Sequence, residues 1–573
     1  MTVSDYLARF LAAQGVTVVY ELIGGMITQI LDAIAQDGQV RLISMHHEQG
    51  AAFAAEGNAR ITGIPGVAMA TSGPGATNLL TGIGSCYFDS TPAVFITGQV
   101  NLHELKGNRP IRQLGFQETD IVTMVEPICK AAWRVSSAED FPRILSDAFE
   151  MAISGRPGPV LIDLPMNVQR AKITATVPNR IVPVKQDIDD PELIDQLWHD
   201  LNMSQRPLVL TGGGIRSAGA TELVRKFVTR AQVPAIASLL GVDVIPYDDP
   251  HHVGMIGTYG NRWANIALTK SDFILVLGSR LDIRQVGADT DAFVSGRKIY
   301  HVDCQSGEIN NLVKGCVPIV SDLKPFMERL LQSCEGTDFP NRTKWIEEIQ
   351  VIRDQWPDTN ELATTPGINP NWFMHELSQA SMQAAAYVVD VGQHQMWAAQ
   401  SLELGLEQRF LTSGGMGAMG FALPAAIGAA YGVEKRPIVV VVGDGSFQIN
   451  IQELQTVARN QLPLKIVVID NECHGMVRQS QETYFDNRFT STLWGYTAPD
   501  FEKVAQAYGI TAETIRDPVE IPAALERLWR DPAVPALLCV KIDTMTNAYP
   551  KVAFGYPISE MEPFAKPIAM EST

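Results

Sequence analysis

The stretch IVVVVGDGSFQINIQELQTVARNQLPLKIVVIDNECHGM, residues 438–476, decides how this chain is read. It opens on an unbroken β-branched run, the pattern of a strand covered on both faces in a parallel sheet. The run ends in Gly443-Asp444-Gly445-Ser446, and a helix-like segment follows. Glycines let main chain approach phosphate oxygens, and a helix N-terminus favours anions. Asp444 offers the oxygen ligand that Mg²⁺ prefers. After 24 intervening positions, 446–469, a second apolar run ends in Asp470-Asn471. A side-chain oxygen is thereby returned to the same sheet edge, beside Asp444. A bare GDG is more often a tight turn; here the spacing and the asparagine come with it.

Outward from this stretch, the same pattern recurs at GVAMA (66–70), AVFIT (93–97), PVLIDL (159–164), PLVLTG (207–212) and FILVLG (273–278). Most of these runs end in Gly, Asp or Ser, on the carboxyl edge where open α/β sheets hold ligands. The fold class predicted is α/β, with three doubly wound parallel-sheet domains. Two polar, Pro-containing segments, 181–192 and 354–370, read as linkers. They divide the chain into blocks 1–180, 190–345 and 366–550, followed by a Pro- and aromatic-rich tail, 551–573. The N-terminal MTVSDYLARFLAAQGV reads as an amphipathic helix capped by Ser4.

The chain has 573 residues and a formal net charge of −18. That balance argues against a nucleic-acid partner or an anionic membrane surface. Seven scattered cysteines with no CxxC pair argue against a disulfide framework or a zinc site and for a reducing compartment. No apolar run approaches a membrane span and no signal-peptide core is visible, so a cytoplasmic location is expected.

The GDG, the spacing and Asn471 together resemble the thiamine diphosphate (ThDP) signature. The resemblance implies that Asp444, Asn471 and the main-chain carbonyl of Cys473 hold Mg²⁺, although Asp470 stands where the family usually has a first asparagine. It implies a diphosphate site at Gly392, Gln393, His394, Gly443, Gly445 and Ser446. Gly417 and Met419 match a loop in which the methionine wedges beneath the cofactor; Met476 is expected nearby. In ISMHHEQGAAFAAEGNARITGIPGVAMATSGPGATNLLTGI, residues 43–83, Glu48 begins a small-residue helix. An acid in a first turn often only complements the helix dipole. In the resembling pyrimidine-binding domain it meets ring nitrogen N1′ and activates the cofactor. Gly24, Gly25, Gly73, Pro74 and Asn78 resemble the loops around that ring. In this family Glu48 and Asp444 belong to different subunits, so a homodimer is the smallest active unit, and a homotetramer is open.

The middle block carries TGGGIRS, SLLG, MIGTYGN, GSRLDIRQVG, HVDC and SDL. Their order resembles the FAD-binding domain of acetohydroxyacid (acetolactate) synthases. The resemblance implies a structural FAD contacted by Gly212, Gly213, Gly214, Leu239, Gly257, Tyr259, Gly278, Arg280, Asp282, Arg284, Asp303 and Asp322. It spans nearly the whole chain, with GQHQMWAAQ (392–400), GDGSFQINIQEL (443–454) and GMVRQSQE (475–482) the closest stretches. It implies decarboxylation of pyruvate and carboligation of the acetyl unit to a carbonyl acceptor. Phe116 and Gln117 are expected to line the substrate site, and Arg280 to pair with a second keto acid's carboxylate.

Three departures bear on the acceptor. Ser480 replaces the synthases' tryptophan, Pro165-Met166-Asn167 replaces Pro-Lys-Asp, and YELIGG replaces FGYPGG. The acceptor is therefore open between a second 2-keto acid, giving acetolactate, and a ketone, as in a related branch that acts on nucleotide-linked deoxysugars. A ThDP/FAD oxidase and a plain 2-keto acid decarboxylase are the competing activities, and use of a regulatory subunit is open.

Overall fold

The computed structural model describes residues 1–188, 190–334, 336 and 338–568. Asp189 of the 181–192 segment and residues 569–573 of the tail lie outside the described residues. Each apolar run quoted above is a strand of a parallel sheet, and the described chain forms three six-stranded parallel sheets in all.

The first sheet runs, edge to edge, Arg41–Ser44, Val18–Leu22, Gly66–Ala70, Ala93–Gln99, Pro159–Pro165, Ala131–Arg134. The third runs Arg409–Leu411, Ala386–Val389, Ile438–Gly443, Leu464–Asp470, Ala536–Lys541, Thr511–Ile515. With strands numbered afresh inside each sheet, both have the order 2-1-3-4-6-5. The middle sheet runs Val317–Val320, Lys298–Asp303, Phe273–Leu277, Pro207–Thr211, Ala235–Ala237, His252–Met255. Read from its other edge this is 3-2-1-4-5-6, the dinucleotide-binding arrangement, with its topological switch point between the two central strands.

The first and third domains share one core. Helix Glu48–Thr62 crosses helix Ala422–Gly432 with backbones in contact. A Cβ on Gly57 would lie 2.0 Å from the Ala425 carbonyl oxygen, and one on Gly428 would lie 1.8 Å from that of Ala54. Phe53 and Phe421 pack edge to face beside the crossing, 5.4 Å between centroids. This seam is why the first helix turn, with Glu48, has a fixed place relative to the third domain.

Local details add to the sequence reading or depart from it. The N-terminal helix is capped by Thr2, not Ser4: Thr2 and Asp5 form a reciprocal capping box, while Ser4 is buried inside the helix and donates to the Gln169 carbonyl (3.2 Å). A capping hydroxyl must precede the helix, and Ser4 comes one turn position too late. The helix after GDG lasts only from Asp444 to Phe447; a 3₁₀ turn and the helix Leu454–Asn460 follow. Asn450 there binds the Gly420 carbonyl and Gln49 (2.8 and 3.0 Å), the competition that disfavours Asn inside helices.

Segment 354–370 is not a loose linker. Its 3₁₀ turn Asp358–Leu362 buries Asp358 against His375 (3.0 Å) and Ser401. Nor is the tail free. Lys551–Val552 pairs antiparallel with Met561–Glu562, Val552 N–H donates to the Thr258 carbonyl (2.7 Å), and Val552, Ile558 and Met561 join the middle-domain core. Its proline and aromatic content serves packing on that domain.

Candidate active site and cofactor clefts

Two cavities open at the carboxyl edges of the sheets. The first contains the metal-binding candidates and is lined by Gly392, Gln393, His394, Met419, Gly443, Asp444, Gly445, Ser446, Asn471, Cys473 and Met476. All the residues expected around the diphosphate and metal therefore come together. Ser446 Oγ receives Gly443 N–H (3.1 Å) and returns a bond to its carbonyl, locking the turn.

The oxygen cluster at its floor fits a hard cation. Oδ1 of Asn471 faces the Cys473 carbonyl oxygen at 2.9 Å and Asp444 Oδ1 at 3.3 Å, acceptor against acceptor. Turning the amide over would relieve both contacts but would set its oxygen against Gln393 Oε1, which now accepts Asn471 Nδ2 at 3.1 Å. Gln393 is itself pinned, since its amide nitrogen donates to the Thr546 carbonyl (3.0 Å) and to Gln479 (3.2 Å), and Gln479 is held at both ends by Ala548. This chain of amides favours the arrangement with three oxygens converging, as Mg²⁺ requires. Burial, reinforced by nearby Asp470, pushes the Asp444 carboxyl up to about 7.

Asp470, the departure from the usual asparagine, does not join the cluster. Its carboxylate pairs with Lys541 at 2.7 Å. His394 is buried with an unpartnered Nε2, and burial holds its imidazole down at about 3. A neutral ring with a free nitrogen in the cavity suits hydrogen bonding to a diphosphate. Two members gave no sequence signal: Tyr496, whose hydroxyl donates to Asp444 Oδ2 (2.9 Å), and His474, whose ring packs on Tyr496 at 4.4 Å.

The second cavity lies at the switch point of the middle sheet. Gly212 and Gly278 end its two central strands so closely that a Cβ on Gly212 would fall 2.1 Å from the Gly278 carbonyl oxygen. Gly213, Gly214, Leu239, Tyr259, Gly278, Arg280, Asp282, Arg284, Asp303 and Asp322 line it, with Gly212 and Gly257 behind its wall. Gly417, from the loop that carries Met419, lines this cavity. The residue turns away at φ +66° while Met419 faces the other side, so one loop walls both clefts. Asp89 accepts Gly414 and Gly415 N–H (2.9 and 2.6 Å), and Asp390 accepts Gly420 and Ala422 N–H (2.9 and 2.7 Å), fixing that loop from both ends.

Arg156 and Lys185 also line the second cavity. They come from the first domain and the 181–192 segment, so no local motif could announce them. With Arg280 and Arg284 they put four basic side chains around this cavity. Asp303 receives Gln305 N–H (2.8 Å) and Asp322 receives Gln186 N–H (2.6 Å), while burial pushes the Asp303 carboxyl upward.

Glu48 is buried at the first position of its helix, behind an N-cap in which His47 Nδ1 accepts Gln49 N–H. Its Oε2 accepts Asn78 Nδ2 (2.9 Å), and Oε1 has no hydrogen-bond partner among the described residues. Gly73, Pro74 and Gly75 form the adjoining turn, with a Cβ on Gly75 placed 3.3 Å from Glu48 Oε1, and Gly24 rests on Thr71. A Cβ on Gly25 would meet nothing within 4 Å, so the Gly-Gly turn faces open space. None of these residues lines the Asp444 cavity, nor do Phe116, Gln117 and Ser480. Phe116 is 81% exposed and Ile23 63%.

Three family models match in chain order: the N-terminal TPP binding domain of thiamine pyrophosphate enzymes over 1–124, the central domain over 194–330 and the C-terminal TPP binding domain over 390–540. The acetolactate synthase isozyme 2 large subunit of Escherichia coli is 37% identical over 566 residues, covering 98% of this chain and 99% of that protein. The chain belongs to the acetolactate synthase family of thiamine pyrophosphate enzymes. The acetolactate synthase large subunit of Lactococcus lactis is 35% identical, covering 97% of this chain and 95% of its own. Acetolactate synthase 2, chloroplastic, of Nicotiana tabacum is 36% identical, covering 96% and 84%. Acetolactate synthases of this type are enzymes that use thiamine diphosphate with Mg²⁺ and a structural FAD, and the two cavities offer chemistry suited to each group. No helix among the described residues is long and apolar enough to cross a membrane.

Proposed function

We propose that this acetolactate synthase family member decarboxylates pyruvate and joins the acetyl unit to a second 2-keto acid, giving acetolactate. The observation that carries the reading is the three-oxygen cluster of Asp444, Asn471 and Cys473 in the same cavity as His394. Bound there, thiamine diphosphate supplies the electron sink that lets a 2-keto acid lose CO₂ and pass on its acyl unit.

The chain's own residues do the rest. Asp444, Asn471 and the Cys473 carbonyl would hold Mg²⁺; Gly392, Gln393, His394, Gly443, Gly445 and Ser446 would cradle the diphosphate; Met419 and Met476 would bear on the rings. Glu48 would place its carboxyl proton at pyrimidine N1′, with Asn78 steadying it and Gly24, Gly25, Gly73 and Pro74 leaving room for the ring. Arg280 offers a bidentate clamp for the acceptor's carboxylate. The second cavity would hold FAD as a structural element, its diphosphate met by the glycines at the switch point.

Glu48 and Asp444 sit in separate clusters of one chain, and Phe116 and Ile23 of the first domain are exposed apolar side chains. A second copy of the chain completing each site accounts for both, so the functional unit we propose is a homodimer or a multiple of it. Phe116 and Gln117 would then reach the substrate site from the copy that supplies Glu48, and Ser480 from the copy that supplies Asp444. Several relatives are named as large subunits, and we extend that to a regulatory partner for this chain. Catalysis of this kind takes place in the cytoplasm in the scheme we favour.

Mass spectrometry of the products from pyruvate alone and from pyruvate with a ketone panel tests the assignment. Acetolactate from pyruvate alone is expected. Free acetaldehyde as the sole product, or stoichiometric bleaching of the flavin by pyruvate without oxygen, would replace it with a decarboxylase or an oxidase. Glu48→Gln should lower turnover about 10²–10⁴-fold while leaving cofactor binding in place.

A further inference from the structure

Glu453 is completely buried and belongs to the third domain, yet its carboxylate serves the first. Its Oε1 accepts the main-chain N–H of His46 at 3.0 Å, and its Oε2 accepts the Thr456 hydroxyl at 2.7 Å. A Cβ on Gly50 would lie 2.7 Å from Oε1, so the helix reaches the carboxylate only because position 50 has no side chain. Two neighbours join it. Arg459 donates to the Ser44 carbonyl, and Asn450 Nδ2 donates to Gln49 Oε1 at 3.0 Å. Side chains 450, 453 and 459 thus grip positions 49, 46 and 44, the segment that enters the helix and surrounds its first residue, Glu48.

We propose that Glu453 is a positioning residue for Glu48, fixing the entry of its helix so that the Glu48 carboxyl points where the cofactor's pyrimidine nitrogen must be met. The inference rests on the reading of Glu48 as the activating acid. Glu48 has a single side-chain tether, the bond from Asn78, and its other oxygen is free for a ligand. The direction of its carboxyl is therefore set by the backbone beneath it. An active carboxyl tolerates misplacement of only about 0.5 Å. The sole side-chain acceptor for the His46 N–H comes from Glu453 across the domain seam.

The test uses the holoenzyme at saturating ThDP and Mg²⁺, with Glu453→Ala, Glu453→Gln, Gly50→Ala and Glu48→Gln. The rate of proton–deuterium exchange at C2 of the bound cofactor is read by quenching and NMR. Amide exchange of residues 44–50 is read by mass spectrometry on the cofactor-free protein. Glu453→Ala should slow C2 exchange and kcat together, by about 10–100-fold, with KM for pyruvate and ThDP affinity within about threefold. Glu453→Gln retains an acceptor oxygen and should recover most of the rate. Gly50→Ala, which drives a methyl group into Oε1, should fall between them. The His46 amide should exchange faster in Glu453→Ala.

C2 exchange within about twofold of wild type in Glu453→Ala, while Glu48→Gln slows it, would overturn the inference; Gly50→Ala takes over this role if Glu453→Ala does not fold. A loss of C2 exchange that follows only lost ThDP affinity would also overturn it, since it would make Glu453 merely structural. If Glu48→Gln itself leaves C2 exchange unchanged, the reading of Glu48 fails instead.

Discussion

The first and third sheets have the same strand order and nearly the same parallel framework, but their carboxyl edges are prepared for opposite tasks. At the third edge Asp444, Asn471 and Cys473 turn oxygens on one another. At the first edge Glu48 is already steadied by Asn78 and waits with one free oxygen. The third edge gathers oxygens, whereas the first presents one buried carboxyl group. One scaffold thus supports metal chelation or acid activation, depending on which two or three residues occupy the strand ends and the first helix turn.

The largest expected effect tests that division directly. Asp444→Ala removes a carboxylate of the proposed metal site and should weaken Mg²⁺-dependent ThDP binding by at least about 100-fold, measured by calorimetry. Glu48→Gln should leave that affinity within about threefold. Equal losses in the two variants would erase the distinction between the edges.

The seam that joins the two domains comes next. A methyl group on Gly57 or Gly428 would overlap a facing carbonyl, at 2.0 and 1.8 Å. Either Gly→Ala variant should cost about 3 kcal/mol or more in denaturant unfolding, and both domains should lose stability together because they share one core.

A smaller, pH-dependent effect should mark the third domain. His375 lies between Asp358 (3.0 Å) and Glu403 (2.7 Å), beside the Tyr247 ring over which Arg353 packs. Burial works against its charged form, but the hydrogen bonds and charges of Asp358 and Glu403 outweigh it and raise the imidazole above 6.5. A raised histidine contributes stability that is complete below its unfolded value and is lost as pH rises through the folded one. The stability gap between wild type and His375→Ala should therefore be widest near pH 6 and shrink steadily above it. A gap that grows with pH would contradict the sign.

The smallest effect belongs to the first domain. Thr2→Ala breaks the capping box with Asp5 and should cost about 1 kcal/mol, seen as a modest shift of the first unfolding transition.

The readable parts of the chain were those whose signal is local. The strand at 438–443 and its Gly-Asp-Gly end are visible because a fully buried strand needs an unbroken apolar run and a phosphate approach needs glycine. The middle domain's glycines were visible for the same reason. The Ser4 cap was misplaced because Thr2 and Ser4 are both good capping residues, and only the backbone shows which one precedes the helix. Segment 354–370 looked like a linker because Asp358 is polar; its burial depends on His375 and Ser401, which lie beyond it in the chain. Gly417 and Met419 line different clefts although they share one loop, because sequence order does not say which way each residue faces.

By itself the sequence determined three α/β domains, the strand ends at which chemistry would occur, and the pairing of Asp444 with Asn471, since apolar runs and glycine turns act over a few residues. Only the tertiary structure decided that the middle sheet is wound differently from its neighbours, that Asp470 turns to Lys541 instead of the Asp444 cluster, that Arg156 and Lys185 line the middle-domain cavity, and that Glu453 reaches back 407 residues to His46. Those contacts depend on which strands become neighbours and which helices cross. The free energy of such choices is spread over the whole packed core, and no short stretch of chain contains it.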